Sequence, residues 1–119
     1  MKDCYLKKNS EFQRVYSNKK ISGSRYITLF TVENNRDYPR FGITVTKKVG
    51  NAVNRNFVRR RLKHLLRENS HKIKLGYDYV FVAKKDASES DFKDFKNSFF
   101  SVLKRQKTVS YTHLRAHET

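Results

Sequence analysis

The sequence has little of what braces a small secreted protein or anchors a membrane protein. Cys4 is its only cysteine in 119 residues. One thiol closes no internal disulfide, so a disulfide framework is excluded and a reducing cytoplasm is the expected setting. Cys4 itself reads as an incidental thiol. No apolar run approaches the roughly 20 residues of a membrane span. Met1 to Lys8 carries charge but no apolar core, which argues against a secretory leader. One proline and four glycines leave no low-complexity linker, and there is no internal repeat. Tryptophan is absent, so the aromatic content is nine Phe and seven Tyr. Acid is scarce: 11 Asp and Glu stand against 27 Lys and Arg, a formal net charge of +16. Such an excess repels itself in a compact fold and serves a polyanionic partner, for which nucleic acid, an anionic membrane and an acidic protein are the candidates.

What is present suits one domain, and a hydrophobic fraction of 37% supports a modest core. A first helix is expected from Asn9 or Ser10, either of which can cap it, with Phe12, Val15 and Tyr16 on one face. After a break at Gly23 and Ser24, residues 26–33 read as a strand whose alternation separates Tyr26, Thr28, Phe30 and Val32 from Ile27, Leu29 and Thr31. Asn34, Asn35, Asp37 and Pro39 mark a turn, and residues 41–46 alternate again through Phe41, Ile43 and Val45. Two strands joined by so short a turn are expected to pair antiparallel. A strand at residues 77–83 and a last helix opening near Ser88 follow. In that helix Ser88 and Asp91 have capping-box spacing, and Phe92, Phe95, Phe99, Val102 and Leu103 form a stripe suited to core packing. The order predicts an α+β domain with helices packed on a small sheet.

Residues 47–67, KKVGNAVNRNFVRRRLKHLLR, are the most informative segment. Gly50 and Asn51 open a helix running to about Asn69. At helical spacing Val58, Leu62, Leu65 and Leu66 share one face, while Asn56, Arg59, Arg60, Lys63 and Arg67 gather on another, with Arg55 near the edge of the apolar stripe. A merely solvated face mixes signs, because opposite charges four residues apart stabilise a helix. Here Glu68 is the only acid between Thr46 and Asn69. Arginine forks match phosphate geometry, and each phosphate neutralised releases counterions. The face therefore predicts nucleic-acid binding; charge alone does not separate RNA from DNA.

This segment resembles the bacterial ribonuclease P protein family, which carries a Lys-Lys-x-Gly-Asn-Ala-Val run followed by an Arg-Asn-Arg element on a basic helix. Lys47, Lys48, Gly50, Asn51, Ala52, Val53, Arg55 and Asn56 stand in that arrangement, and Arg59 and Arg60 continue it. The third residue of the Arg-Asn-Arg element is Phe57 here, so no phosphate contact is assigned to it. Leu6 to Asn9, Glu11 to Tyr16 and Asp78 to Lys84 also look like family segments, and the resemblance extends to about Lys107. It implies an α/β sandwich, a small mixed sheet packed with three helices in the order α-β-β-β-α-β-α, with an unusual left-handed β-α-β crossover that general handedness rules would not suggest.

The resemblance further implies a subunit of the ribonuclease P endoribonuclease, in which an RNA subunit cleaves the 5′ leader from precursor tRNA with Mg²⁺ held mainly by RNA and substrate. The implied contacts to the catalytic RNA are Arg55, Asn56, Arg59, Arg60, Lys63 and Arg67. The implied leader cleft is Phe12, Tyr16, Thr28 and Phe30, with Lys47 and Lys48 at its mouth. Aromatic stacking plus positive charge is a common way to hold single-stranded RNA. No catalytic or metal-binding side chain of the protein is expected: the acids are scattered, none lies between Thr46 and Arg67, and Glu68 is the single acid close in sequence to His64 and His71. No membrane and no obligate protein partner are expected. The other class to weigh is a non-catalytic ribosomal-type RNA-binding protein or RNA chaperone. The family-like domain is expected over residues 1–107. Residues 108–119 have no apolar period or family match, and read either as the translation of a sequencing adapter or as a disordered tail; no role is assigned to His113 or His117.

Overall fold

A computed structural model of the chain describes residues 5–18 and 20–106. Cys4 and the segment 108–119, with His113 and His117, lie outside the described residues. Helix α1 (Asn9–Ser17) is followed by strands β1 (Lys20–Gly23), β2 (Ile27–Glu33) and β3 (Arg40–Thr44), helix α2 (Ala52–Asn69), strand β4 (Tyr77–Ala83) and helix α3 (Phe92–Arg105). This is the element order that the resemblance implies.

The strands form one mixed sheet in the order β1-β2-β4-β3. β2 and β3 therefore do not pair with each other, contrary to the hairpin expected from their short connection. β4 lies between them, antiparallel to β2 and parallel to β3. The loop from Glu33 to Arg40 arches over the start of β4: the Asn34 N–H donates to the Gly76 carbonyl at 2.9 Å, and the Asn34 side chain donates to Asp78 at 2.8 Å. With β4 inserted, both of its edges are paired, to Ile27–Glu33 on one side and to Arg40–Thr44 on the other, so the facing backbone groups of all three strands are satisfied without the hairpin. β1 is a further strand that its short, weakly patterned sequence does not announce; it pairs antiparallel with β2.

The two sheet faces are covered unequally. Ile27, Leu29, Tyr79, Phe81 and Phe41 meet the apolar stripes of α2 and α3. Val58, Leu62, Leu65 and Leu66 of α2 are fully buried in this layer, as their spacing predicts. The α3 stripe is buried through Phe95, Phe99, Val102 and Leu103, but Phe92 is 38% exposed at the edge. Its cap is Asp91, which accepts from the Asp94 N–H at 2.9 Å, and not Ser88, which sits in a preceding 3-10 turn. On the opposite face α1 covers a smaller cluster built on Leu6, Val15 and Val80. Asn9 and Ser10 lie inside the first turn of α1; Glu11 reaches back to accept from the backbone of Lys7 and Lys8 at 2.9 and 3.0 Å. No helix among the described residues is long and apolar enough to cross a membrane.

Candidate nucleic-acid interface

The start of α2 is set by two residues. Gly50 adopts φ +143°, which disfavours a side chain, and a Cβ there would lie 2.7 Å from the Asn54 amide nitrogen. Asn51 then caps the helix by accepting from the Asn54 N–H at 3.0 Å. From this start the helix presents Asn56, Arg60, Lys63 and Arg67 to solvent, with Arg59 half-buried beside them. The Arg59 guanidinium donates to Asn56 at 3.0 Å, which holds the two as one unit. Arg55 folds back on the helix start and donates to the Gly50 carbonyl at 2.8 Å, leaving its remaining donors at the N-terminal end of the face. Among the described residues none of Arg55, Arg59, Arg60, Lys63 and Arg67 forms an ion pair with an acid. The cations are thus an uncompensated row, suited to a polyanion.

Arg61 and Phe57 belong elsewhere. The Arg61 guanidinium lies over the rings of Phe57 at 4.4 Å, Phe95 at 5.5 Å and Phe92 at 5.7 Å, and donates to the Ser90 carbonyl at 2.8 Å. Desolvation there pulls its pKa below the usual guanidinium value. Phe57, which replaces an arginine of the family pattern, packs against the core as part of this joint between α2 and α3.

The second predicted cluster lies on the α1 face of the sheet. Register aligns three ranks of side chains there: Thr28, Val82 and Thr44; Phe30, Val80 and Gly42; Val32, Asp78 and Arg40. Phe12 lies over Gly42, close to Leu6. Tyr16 spans the sheet between Phe30, whose ring meets it edge-on at a centroid distance of 5.0 Å, and Thr44, whose hydroxyl shares a 2.7 Å hydrogen bond with it. Thr28 and Phe30 are half-buried, and Ile21, beside Phe30 on β1, is 53% exposed. Lys47 and Lys48 sit exposed in the turn just after β3. Phe12, Tyr16, Thr28 and Phe30 thus share one surface, with Lys47 and Lys48 beyond the strand end nearest Thr44. Thr44, Val82 and Ile21 join them; they escape a reading of the sequence because only the strand order sets Ile21 beside Phe30, Val82 between Thr28 and Thr44, and Thr44 within reach of Tyr16.

The deepest rank holds a buried ionic knot. Asp78 is fully buried and accepts from Arg40 Nε and Nη2 at 2.9 and 2.8 Å, from Asn34 at 2.8 Å and from Arg14 of α1 at 2.9 Å. Arg40 also reaches Glu11 at 3.1 Å. Burial pushes the Asp78 carboxyl up, but the bonds from Arg40, Asn34 and Arg14 outweigh it and hold the pKa below the ordinary value. Backbone N–H donors of Lys8 and Lys7, with Arg40 behind them, also lower Glu11. The knot fixes α1 against β3 and β4, and so sets where Phe12 and Tyr16 stand.

Residues 1–107 match the family profile described as Ribonuclease P. The chain is 44% identical over 101 residues to the ribonuclease P protein component of Clostridioides difficile, covering 84% of this chain and 89% of that one. It is 37% identical over 105 residues to the corresponding protein of Alkaliphilus metalliredigens, covering 88% and 95%. Among solved structures, the Staphylococcus aureus RNase P protein superposes with a TM-score of 0.84 at 33% identity, over 92% of this chain and 100% of that one. The Thermotoga maritima RNase P protein does so with 0.77 at 30% identity, over 85% and 96%.

Proposed function

The chain belongs to the ribonuclease P protein family, and on that premise we propose how its two surfaces divide the work. It is a subunit of a tRNA-processing endoribonuclease complex and a partner of ribonuclease P RNA. In our reading the α2 face of Arg55, Asn56, Arg59, Arg60, Lys63 and Arg67 binds that catalytic RNA through phosphates. The surface between α1 and the sheet takes the single-stranded 5′ leader of precursor tRNA, with Tyr16 and Phe30 offering ring faces and edges to bases and Lys47 and Lys48 meeting phosphates. Cleavage is the work of the RNA subunit, with Mg²⁺ held mainly by RNA and substrate, and the complex acts in the cytoplasm. The observation that carries the reading is the row of uncompensated cations on α2, on a separate element from the aromatic surface under α1. Two polyanion sites on one small domain fit a protein that joins one RNA to another. A ribosomal-type protein or free-standing chaperone is not favoured, given the relatives named above.

The test is reconstitution with a bacterial ribonuclease P RNA and precursor tRNA carrying leaders of graded length. Added protein is expected to allow cleavage at low Mg²⁺ and to increase affinity as the leader lengthens. Protein that leaves the RNA-alone reaction unchanged would sink the reading.

A further inference from the structure

We propose that the crevice beside Tyr5 is a subsite for one unstacked base of the catalytic RNA; the proposal rests on the function argued above. Tyr5 forms a one-residue parallel bridge with Phe41, and the Leu6 N–H donates to the Phe41 carbonyl at 2.7 Å. This short pairing extends the sheet past β3 and sends successive side chains to opposite faces. Leu6 goes into the cluster under α1, and Tyr5 goes toward α2. Between Tyr5, Phe41, Leu66, Lys63 and Arg67 lies a cavity of about 250 Å³.

Its chemistry is divided. The floor is apolar and aromatic: the Tyr5 and Phe41 rings are tilted at a centroid distance of 6.4 Å, and Leu66 is fully buried beneath. The rim is cationic, with Lys63 Nζ 5.7 Å from the Tyr5 ring centre and Arg67 exposed one helical turn further on. A free apolar ligand gains nothing from two cations at the mouth, and a bare anion gains nothing from the aromatic floor. A nucleotide uses both, with its base against the ring and its phosphate on Lys63 and Arg67. Those two cations also belong to the α2 row, so an RNA strand following that row would pass the crevice. The backbone bridge to Phe41 holds the Tyr5 main chain beside the crevice, and its ring already lies against Phe41 and Lys63, so less ordering is needed when a base enters.

The chain has no tryptophan, so Tyr5→Trp puts a single reporter in the crevice. Wild-type, Tyr5→Trp and Tyr5→Leu chains are titrated with full-length ribonuclease P RNA, without substrate. Stacking of a base on the indole is expected to quench emission of the Tyr5→Trp variant as RNA saturates. Tyr5→Leu keeps apolar bulk but loses the ring, and is expected to weaken RNA affinity about tenfold. Its slope of log affinity against log salt should stay that of wild type, because no charge is lost. Undiminished emission at saturating RNA, or wild-type affinity in Tyr5→Leu, would overturn the subsite. Quenching that requires the precursor tRNA leader would also overturn it, by giving the crevice to the substrate. If Tyr5→Leu fails to fold by circular dichroism, the emission experiment decides alone. Wild-type chain that does not bind the RNA refutes the parent reading and this one with it, whereas wild-type binding with a bright Tyr5→Trp refutes the subsite only.

Discussion

The Phe12 ring rests directly on Gly42: a Cβ at position 42 would lie 2.6 Å from Cε1 and 2.9 Å from Cζ of that ring. The missing side chain lets α1 settle onto the sheet, and Tyr16, one turn along the helix, then reaches Thr44. Gly42→Ala is expected to push the Phe12 ring aside and crowd Leu6, costing about 1–3 kcal/mol as overpacking does. A denaturant midpoint gives the stability, and affinity for long-leader substrate should fall while affinity for the catalytic RNA holds. If stability and leader affinity are both unchanged, α1 is not seated by this contact.

Asp78→Asn would leave Arg40 and Arg14 facing a neutral amide in a buried place. Breaking such a pair from one side costs about 3–5 kcal/mol. The pH dependence follows from the direction of the shifts. Asp78 and Glu11 are both lowered in the folded state, so their contribution is complete above the unfolded carboxylate range near pH 4 and is lost as pH falls through their folded values. Melting temperature should therefore be flat near neutrality and drop in acid. The Asp78→Asn variant should start lower and show a shallower acid fall. An equally steep fall in the variant would place the acid-labile group elsewhere.

Arg60 and Arg61 are neighbours in sequence with different surroundings. Changing Arg59, Arg60 and Lys63 together to Ala should weaken binding to the catalytic RNA and flatten its salt dependence, with little change in folding stability. Arg61→Ala should do the reverse: lost contact with Phe57 and the bond to Ser90 should cost roughly 1 kcal/mol of stability, with the salt slope kept. The paired readouts are thermal melting and RNA affinity at several salt concentrations. A salt slope that flattens in Arg61→Ala as much as in the triple variant would contradict the assignment.

Tyr16→Ala removes both the ring beside Phe30 and the hydroxyl on Thr44. Stacking contributes about 1–3 kcal/mol per base, so the assembled holoenzyme should bind long-leader substrate about tenfold or more weakly. Binding of mature tRNA and assembly with the catalytic RNA should hardly change. Tyr16→Phe separates the two contributions, since it keeps the ring and drops only the bond to Thr44. Losses of equal size at every leader length, measured by equilibrium binding, would rule the cleft out.

Several features were legible because they repeat locally. The spacing of Val58, Leu62, Leu65 and Leu66 shows the buried face of α2, and all four are buried. The alternation through β2 separates Ile27 and Leu29 from Phe30 and Val32, which do face opposite layers, but Tyr26, grouped with the second set, is buried with the first because it precedes the strand and is not bound by its alternation. Other features have no local signature. Strand β1, residues Lys20–Gly23, is held through Ser22, whose hydroxyl donates to the Val102 carbonyl and accepts from Gln106, both some eighty residues away. Arg61 has the same charge as Arg60, and only the arrival of Phe92, Phe95 and Ser90 makes it a packing residue.

By itself the sequence determined the sign of the surface, the amphipathic character of the helices and the family, because charge count, residue period and motif spacing are properties of short stretches of chain. Only the tertiary structure decided that β4 enters between β2 and β3, that Asp78 gathers Asn34, Arg40 and Arg14, and that Tyr5 meets Lys63. Each of those depends on which distant segments share an edge. Strand pairing satisfies backbone donors and acceptors that every residue carries alike, so the choice of neighbour is settled by packing of the whole sheet and not by any one segment.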